Sequence, residues 1–341
     1  MNKEYVCDFA KKLLQIDSPT GYTKKAIAYV EEEAKRLGYE TKRNNKGNLW
    51  IYVNGKSKEK TIGLCAHCDT LGLMVRSIKS DGKLAHTNLG GPIIPTLDGE
   101  YCRIYTRDGN VYTGTILSTS PATHVYKDAS TKVRDIDNIE VRIDEVVYAK
   151  EDTEKLGIQN GDIVAIDPKV QITESGFIKS RFLDDKISAS ALMGVLYELK
   201  QKNITPSFNL IFMMSTYEEV GHGMAHIPSE ISELLAVDMG CIGLDLACTE
   251  QQVSICAKDS SGPYDYDFTT HLITLAKENN INFAVDIYPM YGSDVSAARS
   301  AGNDVKGALI GPGVHASHGM ERTHIDGVME TMKLILAYIC E

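Results

Sequence analysis

Between residues 73 and 177 the chain changes its habit, and that change narrows the folds open to it. Turn dipeptides Asp81-Gly82, Asp108-Gly109 and Asn160-Gly161 separate short β-branched and aromatic runs at 101–106, 111–117, 141–148 and 163–166. This is the pattern of antiparallel strands joined by tight turns. Within it only 153–157 reads as helical. On either side, helix and strand patterns alternate, which predicts a sheet covered by helices. The expected fold class is α/β: a three-layer sheet with helices on both faces, spanning residues 1–72 and 178–341, interrupted at 73–177 by an inserted small β-barrel domain.

The flanking elements read individually. Residues 23–37 place Ile27, Val30, Ala34 and Leu37 on one helical face, and Gly38 is suited to end the helix. A hairpin arm at 48–53 follows the turn run 44–47. The run 61–66 is almost continuously apolar, as a buried central strand should be. Further on come a helix at 185–200, strands at 210–215, 234–237, 253–257, 283–287 and 305–310, and a last amphipathic helix at 325–339.

Charge excludes some functions. The 46 acidic against 36 basic side chains give a net charge of -10, the wrong sign for holding phosphates, so no nucleic-acid partner is expected. An acidic balance gives no help with anionic membranes either. No apolar run reaches the ~20 residues needed to cross a bilayer. The opening residues lack a signal-peptide core and cleavage site, which predicts a cytoplasmic protein. The eight scattered cysteines accordingly read as free thiols. Cys65 and Cys68 form a lone C-x-x-C with no second pair at zinc-ribbon spacing, so a structural zinc there is not expected.

Five places put metal-ligating residue types at or near the end of an expected element: His67 with Asp69, Asp184-Asp185, Glu218-Glu219, Asp238, and His318. Four of them follow strands, and Asp184 opens a helix. In open α/β sheets, sites are built at the carboxyl ends of strands. Histidine and carboxylate together suit zinc, cobalt or manganese. Two such ions lie about 3.5–4 Å apart and can share one carboxylate. Asp69, two residues beyond His67, should face the same way in an extended strand and accept the imidazole's second N–H. Adjacent glutamates are unlikely to reach the same ion, so one of the pair can ligate while the other serves as general base.

The stretches Ala66-His67-Cys68-Asp69-Thr70-Leu71-Gly72, Leu89-Gly90-Gly91, 156–162, Leu183-Asp184-Asp185, Glu218-Glu219-Val220-Gly221, Val237-Asp238, Gly292-Ser293-Asp294 and His318-Gly319-Met320-Glu321 run in one order over nearly the whole chain. In this the chain resembles the glutamyl, deblocking and tetrahedral aminopeptidases, a family of dinuclear metallopeptidases. The resemblance implies an aminopeptidase with two divalent ions per chain, zinc first and cobalt or manganese as alternatives. His67 and Asp238 would complete one metal position, Glu219 and His318 the other. Asp184 would bridge, with a cis peptide to Asp185, and Glu218 would be the general base. His318 is chosen over His315 and His324 by its His-x-x-Glu spacing to Glu321, and His124 reads as a loop histidine. The resemblance also implies peptide substrates and a homo-oligomer, a dodecamer among the assemblies, with the β insert helping to join subunits. The chain departs from the family pattern at Thr70, Lys186 and Gly319-Met320; no ligand is lost, and the departures bear on substrate preference. Two rival readings are a glycoside hydrolase using Glu218 and Asp184, and a non-catalytic peptide-binding scaffold. The first leaves the histidines without a role and has one tryptophan, Trp50, for sugar stacking.

Overall fold

The computed structural model describes residues 1–341. The chain divides into two compact units, Met1–Asp69 with Lys169–Glu341, and Thr70–Pro168.

The first unit is built on one large mixed sheet. Its strand order is Glu40–Arg43, Leu49–Val53, Phe208–Ser215, Ser57–His67, Ile231–Val237, Lys306–Val314, Val253–Asp259, and the short Gly262–Pro263. Phe208–Ser215, Ser57–His67, Ile231–Val237 and Lys306–Val314 lie side by side and parallel. Their side chains alternate between two cores, as the pleat requires. Leu64, Ala66, Phe212, Met214, Leu235 and Val237 face a core shared with the helices Lys3–Leu14, Leu183–Gln201 and Ile325–Cys340. Cys65, Ile211, Met213, Leu234 and Ala236 face the other, capped by Val295 and Ala298 of the helix Asp294–Ser300. Burial on both faces explains why these strands read as apolar runs rather than alternating ones. The helix Leu183–Gln201 is buried nearly all round, so it has no solvent stripe to read. The α/β fold with helices on both sheet faces is as expected. No helix is long and apolar enough to cross a membrane.

The second unit closes a six-stranded barrel in the order Gly72–Ile78, Leu84–Leu89, Ile139–Ile143, Val111–Ser118, Tyr101–Tyr105, Ile163–Ile166, and back to the first. Leu73, Leu84, Ile104, Ile116, Val141 and Val164 are fully buried in it. The strand expected at 141–148 stops at Ile143, and beyond it Val146 and Tyr148 are each 82% exposed. The unit's limits also differ from 73–177. Gln171–Ile172 pairs with Phe177–Ser180, which pairs with Glu321–His324. That ladder places 169–177 with the α/β unit, because hydrogen bonding to a C-terminal strand outweighs the local β text.

Candidate active site

The four central parallel strands all end at the same edge of the sheet, and the chemistry-bearing residues gather there. His67 is the last residue of its strand. Glu218 and Glu219 sit on the single turn Glu218–Val220 that follows Phe208–Ser215. Asp238 comes directly after Ile231–Val237, and His318 lies in the loop after Lys306–Val314. Asp184 enters from the start of the helix Leu183–Gln201, where the Asp184–Asp185 peptide is cis.

Asp184 is the hub. Its Oδ1 lies 3.0 Å from His67 Nε2 and its Oδ2 lies 3.6 Å from His318 Nε2. Glu218 Oε2 is 3.7 Å from His67 Nε2, and Glu219 Oε2 is 3.8 Å from His318 Nε2. Two triads, His67–Glu218–Asp238 and His67–Asp184–Glu219, each bring one potential ligand atom per residue within 4.8 Å of one another. A third, Asp184–Asp185–Asp238, does the same and brings in Asp185, which the sequence offered only as a neighbour of Asp184. All five expected ligands and Glu218 thus share one site.

Asp69 behaves differently from its sequence expectation. The His67 Nδ1–H points to the backbone carbonyl of Asp69, 2.9 Å away, while the Asp69 carboxylate stands off at 3.6 Å. That carboxylate accepts the Thr20 hydroxyl and the backbone N–H groups of Glu218 and Glu219. The strand turns after His67, so the period-two argument fails, and the carboxylate serves the glutamate turn instead. A carbonyl can only accept, so Nδ1 carries a proton and Nε2 is left to face the carboxylates.

The loop holding the glutamates is fastened at its other end by groups the sequence did not single out for this purpose. Asp294, 3% exposed, accepts from Ser215 Oγ at 2.5 Å and from Met224 N at 2.8 Å. Buried Asn48 donates to the Gly223 carbonyl and accepts from the Thr216 hydroxyl. His318 sits at φ 63°, a conformation that a non-glycine residue holds only when its surroundings fix it. Glu321 does the fixing: its carboxylate accepts His318 N–H at 2.9 Å and Asp184 N–H at 3.0 Å. The His-x-x-Glu spacing is therefore a two-ended clamp. Of the other histidines, His324 caps the last helix through its ring, His315 bridges by backbone to Arg322, and His124 is an exposed residue of the second unit.

Crowding of negative charge dominates the electrostatics. Burial, aided by neighbouring carboxylates, pushes Glu218 and Glu219 well above the usual range and Asp238 up to about 7. Glu321 rises to about 8 for the same reason. Asp184 goes the other way: despite burial, hydrogen bonds from His318 and His67 hold it well below its ordinary value. Burial would lower His67, but the Asp184 hydrogen bond and the surrounding carboxylates outweigh it. Glu219 Oε1 is buried without a hydrogen-bond partner, and such an atom calls for a proton or a cation. Two imidazoles among carboxylates are the donor set of zinc and its neighbours, so the residues present fit divalent metal.

The strand behind Asp238 sets a tight limit. A Cβ on Gly311 would fall 1.7 Å from the Asp238 carbonyl oxygen. Gly311→Ala should therefore destabilise the protein by about 1–3 kcal/mol or more and displace Asp238, with metal affinity falling alongside Tm. A variant with unchanged Tm and metal affinity in a calorimetric scan would show that this approach has slack.

The comparisons with known proteins place the chain's family and fold. The family model of M42 glutamyl aminopeptidases matches residues 47–334. YhfE of Bacillus subtilis (strain 168), which carries an aminopeptidase name, is 47% identical over 333 residues, spanning 97% of this chain and 96% of its own. The solved TET aminopeptidase of the marine sediment archaeon Thaumarchaeota archaeon SCGC AB-539-E09 shares the fold at a TM-score of 0.88 and 18% identity, over 98% of this chain and 96% of that one. The Pyrococcus horikoshii TET1 peptidase does so at 0.85 and 24%, over 98% and 99%. Fold and family together define a peptide-bond hydrolase of the aminopeptidase class. The chain belongs to the M42 glutamyl aminopeptidase family, whose members are metallopeptidases.

Proposed function

We propose that this aminopeptidase works with two divalent cations at the sheet edge. His67 and Asp238 complete one position, Glu219 and His318 the other, and Asp184 is shared between them. The observation that carries the reading is the unpartnered, buried Oε1 of Glu219 within a cluster of carboxylates that only two imidazoles offset. Zinc suits the donors first, with cobalt or manganese next. When bound, the pair would supply a water acidified toward neutrality and a Lewis-acidic contact for the scissile carbonyl.

The chain's own side chains do the remaining work. Glu218 lines a cavity of about 370 Å³ together with Asp184, Glu219, Asp238 and His318. Burial raises its proton affinity, which suits a group that takes a proton from the attacking water and returns it to the leaving amine. Asp69 acts through the turn, holding the backbone N–H groups of Glu218 and Glu219 so that the two carboxylates diverge. The Asp69 carbonyl fixes the tautomer of His67. A peptide's N-terminal residue would fill the cavity. A glycosidase built on Glu218 and Asp184, or a binding scaffold, gives no account of imidazoles turned toward these carboxylates.

The setting we propose is cytoplasmic, with peptide substrates, no nucleic-acid or membrane partner, and a homo-oligomer in which the inserted β unit joins subunits. A dodecamer is among the forms: the solved PhTET1-12s structure is a dodecamer, and the Pyrococcus horikoshii TET1 peptidase can assemble into a tetrahedron or a large octahedral shell. The metal reading has a direct test. Elemental analysis of protein prepared with zinc, cobalt or manganese should give about two ions per chain, and chelation should remove ions and aminopeptidase activity together. A stoichiometry near zero after metal loading overturns it.

A further inference from the structure

Resting on the aminopeptidase reading above, we propose that this chain selects an uncharged, largely apolar N-terminal side chain and discriminates against acidic ones. One wall of the cavity carries none of the site carboxylates. It is made by the loop 290–292 and by the short helix Asp294–Ser300 with its preceding residue. Ser293, Ser296, Ala297 and Ser300 fall at helical spacing on the face toward the cavity. All four are small, so the helix backbone stands close and leaves the space to a ligand.

Three of the wall's four hydroxyls, those of Tyr291, Ser293 and Ser296, are engaged. Ser296 Oγ bonds Asp259 Oδ2 at 3.2 Å and accepts the Ser293 N–H at 2.9 Å. Ser293 Oγ pairs with the Tyr264 hydroxyl at 2.7 Å. The Tyr291 hydroxyl donates to the Met239 carbonyl at 3.0 Å, which leaves its ring as the contact surface. Met290, 89% exposed at the mouth, adds a flexible thioether that adapts to differing apolar shapes. A substrate side chain therefore meets a ring, a methyl, a thioether and the Cβ atoms of Ser293 and Ser296, with the exposed Ser300 as the remaining hydroxyl.

Charge acts in the same direction. Away from the site carboxylates and His318, no charged side chain lines the cavity. The nearest fixed charge bonded to the wall is the Asp259 carboxylate behind Ser296, fully buried and already accepting from Tyr264, Ser261 and Ser296. An acidic side chain would meet negative charge and no cationic side chain of the wall to offset it, and a desolvated charge without a counter-charge is strongly disfavoured. A lysine side chain would find no free carboxylate within the wall, because those of the site are committed to the cations. The glutamyl preference in the family's name thus has no basis among these wall residues.

The test is a panel of leucyl, methionyl, phenylalanyl, lysyl and glutamyl anilides on the full-length, metal-loaded protein. Leucyl or methionyl substrates should exceed the glutamyl one in kcat/KM by roughly 10- to 100-fold. Installing a cation with Ala297→Arg should raise the glutamyl-to-leucyl ratio at least about tenfold. Equal or preferred cleavage of the glutamyl anilide by the natural protein overturns the inference. So does an Ala297→Arg protein, folded by circular dichroism, whose ratio does not move. Failure of every anilide and peptide with all three metals would overturn the aminopeptidase reading itself, and this selectivity with it.

Discussion

Glu218→Gln should keep both cations and near-native thermal stability while kcat on a leucyl anilide falls roughly 10²–10⁴-fold, the usual loss for a general base. Glutamine keeps the size and one acceptor oxygen of the side chain but cannot take a proton at neutral pH. The turn it sits on is held by backbone N–H groups to Asp69, so the substitution leaves its fastening intact. Glu219→Gln is the control. It stands on the same turn but faces His318 at 3.8 Å, and as a ligand it should lose affinity for one ion instead. Metal content and kinetics of the two variants, taken side by side, separate a base from a ligand. Near-native kcat in Glu218→Gln would end the assignment.

The second large effect belongs to Asp184. It is the only carboxylate with an oxygen near each imidazole, at 3.0 and 3.6 Å. As the shared ligand it should matter to both positions, so Asp184→Asn should bind well under two ions per chain. Loss of the metals' contribution, several kcal/mol of barrier, corresponds to about 10³-fold in kcat/KM. Ligands that bind only the folded state raise Tm, so zinc should raise that of the natural protein and leave the variant's almost unchanged. Isothermal titration and a melting series check both. A variant that still takes two ions tightly would show that the bridge is elsewhere.

Much of this site could be read from the residues because parallel central strands announce themselves. The runs at 61–66 and 210–215 are almost continuously apolar, and a histidine or a glutamate pair just beyond such a run stands out. The His-x-x-Glu spacing singled out His318, but it did not show that the Glu321 carboxylate would serve the His318 N–H and reach onward to Asp184. The role of the Asp69 side chain could not be read either, because it depends on a turn of the chain after His67. Asp294 was marked only as part of Gly292-Ser293-Asp294, and its role, like that of Asn48, could not be read for another reason: each acts on a loop some 70 or more residues away, and nothing local marks the pairing. The barrel strands Gly72–Ile78 and Leu84–Leu89 were passed over individually. In the second, Ala85 and Asn88 dilute the β signal, and pairing with neighbours decides the outcome. The helix Asp294–Ser300 is short and rich in serine, which propensity disfavours and packing of Val295 and Ala298 rescues.

The long connection between His67 and its partner has a bearing on how the protein matures. These two side chains meet across 117 positions of sequence, with the whole Thr70–Pro168 unit strung between them. Glu218 and Asp238 arrive later still, each only when its own strand pairs in parallel with Ser57–His67. Parallel pairings of such separation are slow, since chain entropy is lost before contacts repay it. With the ligand sets proposed above, no fragment ending before His318 contains both, so a nascent chain cannot complete the pair until most of it has emerged. Metal uptake is in that sense a late checkpoint. It should lock a finished topology rather than nucleate one, and scarcity of metal should show first as faster unfolding rather than slower folding.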